Sequence, residues 1–148
     1  MASAIRALAL AVAVALPGCA TLERADALPE QSGPGPCRAA LCVIMVTVKD
    51  CVVVIDDPDK LVPREDRRPT LRFQLDRGSR YRYTFAQDGI EFQNDPGGQM
   101  RPLGRTFPGD RFDVIDINDA PGTYSYRLRV TPRFRGACAP VNGTVTNG

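Results

Sequence analysis

The amino-acid sequence predicts an all-β protein, an antiparallel β-sandwich of about seven or eight strands. Short runs of β-branched and aromatic residues alternate with polar residues at a period of two, as in strands with one buried face. Gly, Pro, Asn and Asp interrupt these runs at regular intervals, and no segment has the apolar spacing of an amphipathic helix. Many short strands without helices are typical of a sandwich.

The first predicted strands lie in two β-branched runs, residues 41–48 and 51–55, which form either a hairpin around Lys49-Asp50 or one bulged strand. The next strand, residues 70–75, should point Leu71, Phe73 and Leu75 inward. The remaining predicted strands are residues 81–85, 90–92, 112–117, 123–130 and 143–146. Residues 93–110 are rich in Pro and Gly and are predicted to form a long surface loop.

The N-terminal residues predict export. Arg6 precedes an apolar run, residues 7–16, that ends at Pro17. This run is too short for a transmembrane helix, which needs about 20 apolar residues, and it fits a signal peptide. The sequence Leu16-Pro17-Gly18-Cys19 resembles the lipobox of bacterial lipoproteins. The resemblance implies cleavage before Cys19 and fatty acylation, with palmitate among the chains, at that residue. The alternative is an ordinary secreted protein with a cysteine near its cleavage site.

These features divide the chain into a signal peptide (1–18), a lipidated cysteine with a flexible linker (19–36) and a β-sandwich domain (37–148). The predicted partner of Cys19 is a lipid bilayer, and the predicted location is the bacterial cell envelope. The residue directly after Cys19 is Ala20 and not an acidic residue, so the outer membrane is favoured over the inner one. The domain then faces the periplasm or the cell exterior.

Four cysteines remain once Cys19 is set aside. An even number in an exported chain predicts two disulfides. Of the three possible pairings we favour Cys51 with Cys138, which ties the first strands to the end of the chain, and Cys37 with Cys42 as a local link. A structural metal is the alternative, but the spacings are not those of zinc sites.

Charge and composition exclude several functions. The 19 basic and 17 acidic residues nearly balance, so nothing in the net charge calls for nucleic acid. The chain contains no histidine, which rules out Ser-His-Asp and Cys-His mechanisms. The segment Asp116-Ile117-Asn118-Asp119 superficially suggests calcium, but Ala120 occupies the next ligand position and no glutamate ends the loop. We therefore predict no catalytic residue, no metal site and no cofactor.

Five arginines fall at predicted outward positions of strands. If their strands share one sheet, they form a basic face that suits anionic lipid, an acidic glycan or an acidic envelope protein. Ordinary solvated strand faces have the same pattern. The residues of this possible binding face are Arg72, Arg80, Arg82, Arg127 and Arg129.

A weak family resemblance covers residues 42–148. The segment Pro121-Gly122-Thr123-Tyr124-Ser125-Tyr126, with Tyr83-Thr84-Phe85 and Gly89-Ile90-Glu91-Phe92 before it and Gly143-Thr144-Val145-Thr146 after it, resembles the strand pattern of cupredoxin-like sandwiches. Similar turns occur in immunoglobulin-like domains. The resemblance implies the fold without the copper chemistry, because no imidazole is present and Leu128 occupies the place of the thiolate ligand.

Two functional hypotheses follow. The first is a membrane-anchored, non-enzymatic binding or structural module of the bacterial envelope. The alternative is a small enzyme or glycan-active accessory domain that relies on carboxylates.

Overall fold

The computed structural model describes residues 29–64 and 68–148, and these residues form ten β-strands and no helix. The strands are β1 (Glu30–Ser32), β2 (Leu41–Lys49), β3 (Val52–Ile55), β4 (Asp59–Val62), β5 (Thr70–Leu75), β6 (Tyr83–Phe92), β7 (Met100–Thr106), β8 (Arg111–Asp116), β9 (Gly122–Pro132) and β10 (Val141–Asn147). The all-β prediction is confirmed, but the predicted number of strands was too low. Within the described ranges no helix has the length and apolar character needed to cross a membrane.

The strands form two sheets. One sheet has the order β1-β2-β5-β8-β7, with β3 also paired to β2, and the other has the order β4-β10-β9-β6. Three of the eight pairings, β1 with β2, β2 with β5 and β4 with β10, are parallel. The prediction of antiparallel pairing therefore holds for the other five pairings only. The alternation of buried and exposed side chains is the same whichever way the neighbouring strand runs, so it carries no information on direction.

The core lies between the two sheets. Leu71, Phe73 and Leu75 point into it from β5, as predicted. From the opposite sheet, alternate residues of β9 do the same: Tyr124, Tyr126, Leu128 and Val130. The Phe73 and Tyr126 rings meet edge to face, with centroids 5.2 Å apart, and so join the sheets. Full burial of each large apolar side chain contributes roughly 1.5–3 kcal/mol.

Both predicted disulfides are present. Cys51, at the turn between β2 and β3, is bonded to Cys138 in the loop before β10, so this bridge links the six-stranded to the four-stranded sheet. Cys37 is bonded to Cys42 at the start of β2. The turn of the β2–β3 hairpin places Asp50 and Cys51 at positive φ, 49° and 63°. The hairpin interpretation of this region is therefore confirmed.

Two further strand predictions need correction. Residues 83–85 of one predicted strand and the whole of the other, 90–92, belong to the single strand β6, and the predicted turn between them is a bulge. The predicted long loop 93–110 contains β7, which pairs with β8 although its sequence includes Pro102 and Gly104. Pairing with β8 and burial of Met100 outweigh the low strand propensity of these residues.

The segment predicted as a flexible linker includes β1, which pairs with β2. A buried ion pair holds the turn after β1 in place. Lys60, on β4, is only 1% exposed, and its Nζ donates to the carboxylate of Asp57 at 2.9 Å and to the Gly33 carbonyl at 3.1 Å. The same carboxylate accepts from the backbone N–H of Gly35. The domain therefore extends further toward the N-terminus than the predicted boundary at residue 37.

The domain has two ends, which lie at opposite ends of strand β2. The end that we call the base contains Pro29, the start of β2, the end of β8 and the C-terminal Gly148. The opposite end also holds the β2–β3 turn, and we call its three loops, residues 76–82, 107–110 and 133–140, the tip. Hydrogen bonds from the Val48 N–H to Ser79 Oγ, at 2.7 Å, and from the Arg133 N–H to the Arg82 carbonyl, at 2.8 Å, hold this end together. The nine residues of β2 separate base from tip by about 30 Å.

Candidate functional site

The structure does not bring the five predicted arginines onto one face. Arg72 lies on β5 in the six-stranded sheet, whereas Arg127 and Arg129 lie on β9 in the four-stranded sheet. Arg80 and Arg82 lie in the tip loop before β6 and not on a strand. The condition for a single basic face, one shared sheet, is not met. Cys19 and the lipobox lie outside the described residues.

Arg72 is part of an ion pair within the sheet. Its Nε and Nη2 donate to the two carboxylate oxygens of Asp113, on the adjacent strand β8, at 2.8 and 2.9 Å. The hydrogen bond to Asp113 raises the pKa of Arg72. A bidentate pair of this kind fixes the geometry of both side chains. Arg72 therefore has a structural partner and is not available as a binding residue.

A groove lies between β6 and β7. Each of these strands is the last in its sheet, so one long edge of each has no neighbouring strand. At the start of β6, however, the Phe85 N–H donates to the Gly109 carbonyl. The groove has a volume of about 720 Å³. Unpaired edges beside a cavity offer both backbone hydrogen-bonding groups and side-chain contacts to an extended ligand.

The floor of the groove is apolar. Ile90, Met100 and Phe112 are nearly fully buried beneath it, and Phe92 is half-buried. Leu103 lies at the rim with 62% of its surface exposed, at a register shift in the pairing of β7 with β8. An exposed leucine beside a buried apolar floor is the surface expected where a partner's apolar side chains bind.

The rim of the groove is acidic. Three carboxylates, those of Asp88, Glu91 and Asp95, and one guanidinium, that of Arg129, line it. Arg129 donates to Asp88 Oδ2 at 2.6 Å and to Glu91 Oε2 at 2.5 Å. The lining therefore carries three negative charges and one positive charge, a net charge of −2. This charge balance favours ligands with basic groups.

Two local features shape the groove. In the β6 bulge, residues 86–89 lie opposite Arg129 alone, which brings Asp88 within reach of its guanidinium. Gly89 is required there because a Cβ atom would lie 2.9 Å from the Ala86 carbonyl oxygen and 3.1 Å from the Phe112 ring. Asp95 closes the end of the groove by accepting from the N–H groups of Gln99 and Met100 at 2.7 and 2.8 Å.

A second polar cluster lies buried at the base. Asp116 Oδ1 accepts from the Asn118 N–H and from Asn147 Nδ2, both at 2.9 Å. Three oxygen atoms of this cluster, Asp116 Oδ2, Asn118 Oδ1 and Asn147 Oδ1, are buried without a hydrogen-bond partner. Burial, with a further contribution from the charge of Asp95, raises the pKa of Asp116 to about 6. A protonated Asp116 can donate a hydrogen bond to one of the amide oxygens.

The described residues contain no group of three or more His, Cys, Asp or Glu side chains placed to hold a metal ion. No known protein family matches the chain, and no curated protein is significantly similar to it. What the groove offers chemically is an apolar floor, free strand edges and negative charge, which together suit binding of an extended segment.

The sequence alone does not predict this groove. Its residues come from β6, β7, β8, β9 and the loop between β6 and β7. The sequence does not show these strands to be neighbours, and β7 was predicted as loop. The only signal available was the acidic cluster of residues 88, 91 and 95 close to alternating apolar residues.

Proposed function

We propose that this chain is a lipid-anchored protein of the bacterial envelope whose domain binds an extended segment of an envelope protein in the groove between β6 and β7. The observation that carries the proposal is the combination of two unpaired strand edges, an apolar floor and a net negative rim. A segment with alternating apolar and basic side chains matches all three features. The domain acts as a non-enzymatic binding module.

The anchoring part of the proposal rests on the lipobox-like sequence ending at Cys19. Two disulfides in the domain support an oxidising compartment outside the cytoplasm. We further propose that the fold is a cupredoxin-like or immunoglobulin-like sandwich adapted for binding. Burial of Leu128 in the core, at the position where the resemblance would put a thiolate ligand, supports a fold that is used without copper.

Binding is tested with a fluorescent octapeptide that alternates valine and lysine, measured by fluorescence anisotropy against the purified chain. A matched peptide that alternates valine and glutamate is the control ligand. We expect the basic peptide to bind and the acidic peptide to bind at least tenfold more weakly, because the rim carries net negative charge. Equal affinity for both peptides would contradict the proposal.

The groove is tested with the double variant Asp88→Asn/Glu91→Gln. Both carboxylates are largely exposed, at 76% and 53%, so their loss should change stability little. We expect the affinity for the basic peptide to fall about tenfold. Asp119→Asn is the matched control, because Asp119 is also exposed and paired with an arginine, Arg68, but lies outside the groove. It should bind as the wild type does.

The enzymatic alternative is tested with the same protein. The purified chain is incubated with peptidoglycan fragments, and binding and bond cleavage are followed separately. Cleavage that is lost in Asp88→Asn/Glu91→Gln would favour a carboxylate-dependent enzyme over a binding module.

A further inference from the structure

The tip carries exposed aromatic rings on each of its three loops. Tyr81 is 64% exposed, Phe134 is 91% exposed and Phe107 is fully exposed. Phenylalanine has no polar group that could account for its exposure to water. Exposed large apolar side chains that lie close together mark a surface that is covered in use.

A single side chain, Arg133, joins the three loops. Its Nε donates to the Arg80 carbonyl at 3.0 Å, and its Nη1 donates to the Pro108 carbonyl at 3.2 Å. The exposed rings of Tyr81, Phe107 and Phe134 are direct sequence neighbours of these three residues. The aromatic residues therefore belong to one connected surface.

This surface is strongly basic. The three loops contain five arginines and two aspartates, a net charge of +3, whereas the whole chain carries +2. Of the two aspartates, Asp110 is buried at the wall of one tip depression, and Asp76, which is half-buried, accepts from the Gly78 and Ser79 N–H groups. The arginines are Arg77, Arg80, Arg82, Arg133 and Arg135.

Two depressions of about 440 Å³ each lie at the tip and share Pro108 and Arg133. Arg80 lines one of them and Arg105 lines the other. Guanidinium groups beside concave surfaces suit phosphate groups, which they bind through paired hydrogen bonds.

We propose that the tip is a docking surface for an anionic phospholipid bilayer. Aromatic rings are favoured in the interfacial layer of a bilayer, and arginines near that layer are attracted to anionic head groups. A soluble acidic polymer would satisfy the arginines but leave the two phenylalanine rings in water. The combination of fully exposed rings with net positive charge therefore favours a lipid surface.

This inference does not depend on the proposed anchor at Cys19. It is compatible with such an anchor, because the chain between residues 19 and 29 can extend by about 33 Å, which is close to the distance of about 30 Å between base and tip. The tip can thus reach the bilayer that holds the anchor.

The test uses the absence of tryptophan from the chain. Phe107→Trp and Phe134→Trp are made separately in the full chain, and Leu61→Trp, an exposed position near the base, is the control reporter. Each protein is placed in vesicles of phosphatidylglycerol or of phosphatidylcholine that contain lipids brominated in the acyl chains. Because bromine quenches only nearby tryptophan, the measurement reports insertion of the tip even when an anchor holds every protein on every vesicle.

We expect the two tip reporters to be quenched at least threefold more strongly than the Leu61→Trp reporter in phosphatidylglycerol vesicles. Replacing Arg80 and Arg135 by glutamine should abolish this difference, and the effect should be weaker in phosphatidylcholine and at high salt. Equal quenching of tip and base reporters in phosphatidylglycerol would overturn the proposal. So would quenching at the tip that is the same in both lipids.

Discussion

Asn147 donates a hydrogen bond of 2.9 Å from its side-chain amide to Oδ1 of Asp116 inside the protein, where neither residue is accessible to solvent. The other carboxylate oxygen, Oδ2, has no partner. A charged carboxylate in this position lacks the hydrogen bonds that water would provide in the unfolded chain. The charge state of Asp116 therefore affects the stability of the fold.

Stability should depend on the ionisation of Asp116. Its pKa is raised from 3.8 to about 6 in the folded protein, so the folded state holds this proton more tightly than the unfolded state. The proton on Asp116 stabilises the folded state, and this stabilisation is fully present below pH 3.8. As the pH rises to about 6 the proton is lost, and with it roughly 3 kcal/mol of the free energy of unfolding. Urea unfolding across this pH range measures the effect.

The variant Asp116→Asn isolates this contribution from that of the other carboxylates. An amide cannot ionise, and its NH₂ group can donate to one of the unpaired amide oxygens. We expect the variant to gain about 3 kcal/mol relative to the wild type between pH 4 and pH 7. A difference between the two proteins that is constant across this range would show that Asp116 does not titrate as described.

The buried ion pair of Lys60 and Asp57 makes a second prediction. Removing the ammonium group in Lys60→Ala leaves the carboxylate of Asp57 without its partner and should destabilise the domain by about 3–5 kcal/mol. Lys60→Met keeps most of the side-chain volume, and the double variant Lys60→Met/Asp57→Asn also removes the unpaired charge. We expect the double variant to recover most of the loss in chemical denaturation. Recovery in Lys60→Met that the double variant does not improve would mean that packing, and not charge, dominates at this position.

The two disulfides should contribute unequally. The Cys51–Cys138 bridge closes a loop with a sequence separation of 87, and in the chain-entropy model its loss as Cys51→Ala/Cys138→Ala costs about 4 kcal/mol. The Cys37–Cys42 bridge closes a loop of separation 5, so Cys37→Ala/Cys42→Ala should cost less. Calorimetric melting of both double variants compares them. The reverse order of stability would contradict the assignment of the first bridge as the main link between the sheets.

Metal removal should have no effect on the fold. All four domain cysteines are in disulfides, which cannot act as thiolate ligands, and the chain has no imidazole. We expect the melting temperature to be unchanged by chelator and no intense visible absorption on addition of Cu(II). A fall of several degrees on chelation would mean that a metal ion stabilises the domain, with the oxygen atoms around Asp116 as the first place to look.

The sequence predicted those parts of the fold in which local pattern and tertiary structure agree. Period-two alternation in β5 and β9 identified the strands and their buried faces, because both lie inside their sheets with one face in the core. β4 is only four residues long and contains a buried lysine, whose position depends on Asp57 and on the Gly33 carbonyl. No local pattern reveals such a partner.

The functional surfaces were harder to predict than the strands. The pairing of Arg72 with Asp113 and of Arg129 with Glu91 depends on which strands are neighbours, and the alternation pattern does not encode that order. The tip was missed for a similar reason. Tyr81, Phe107 and Phe134 are widely separated in sequence and come together only through the topology of the two sheets.

We propose that a lipid on Cys19 anchors the domain to a membrane. Metabolic labelling with a palmitate analogue in a bacterial host tests this claim most directly, with Cys19→Ser compared to the wild type. We expect label on the wild-type chain, no label on Cys19→Ser, and accumulation of the variant as the larger uncleaved precursor. Equal labelling of both proteins, or no labelling of the wild type, would contradict the claim.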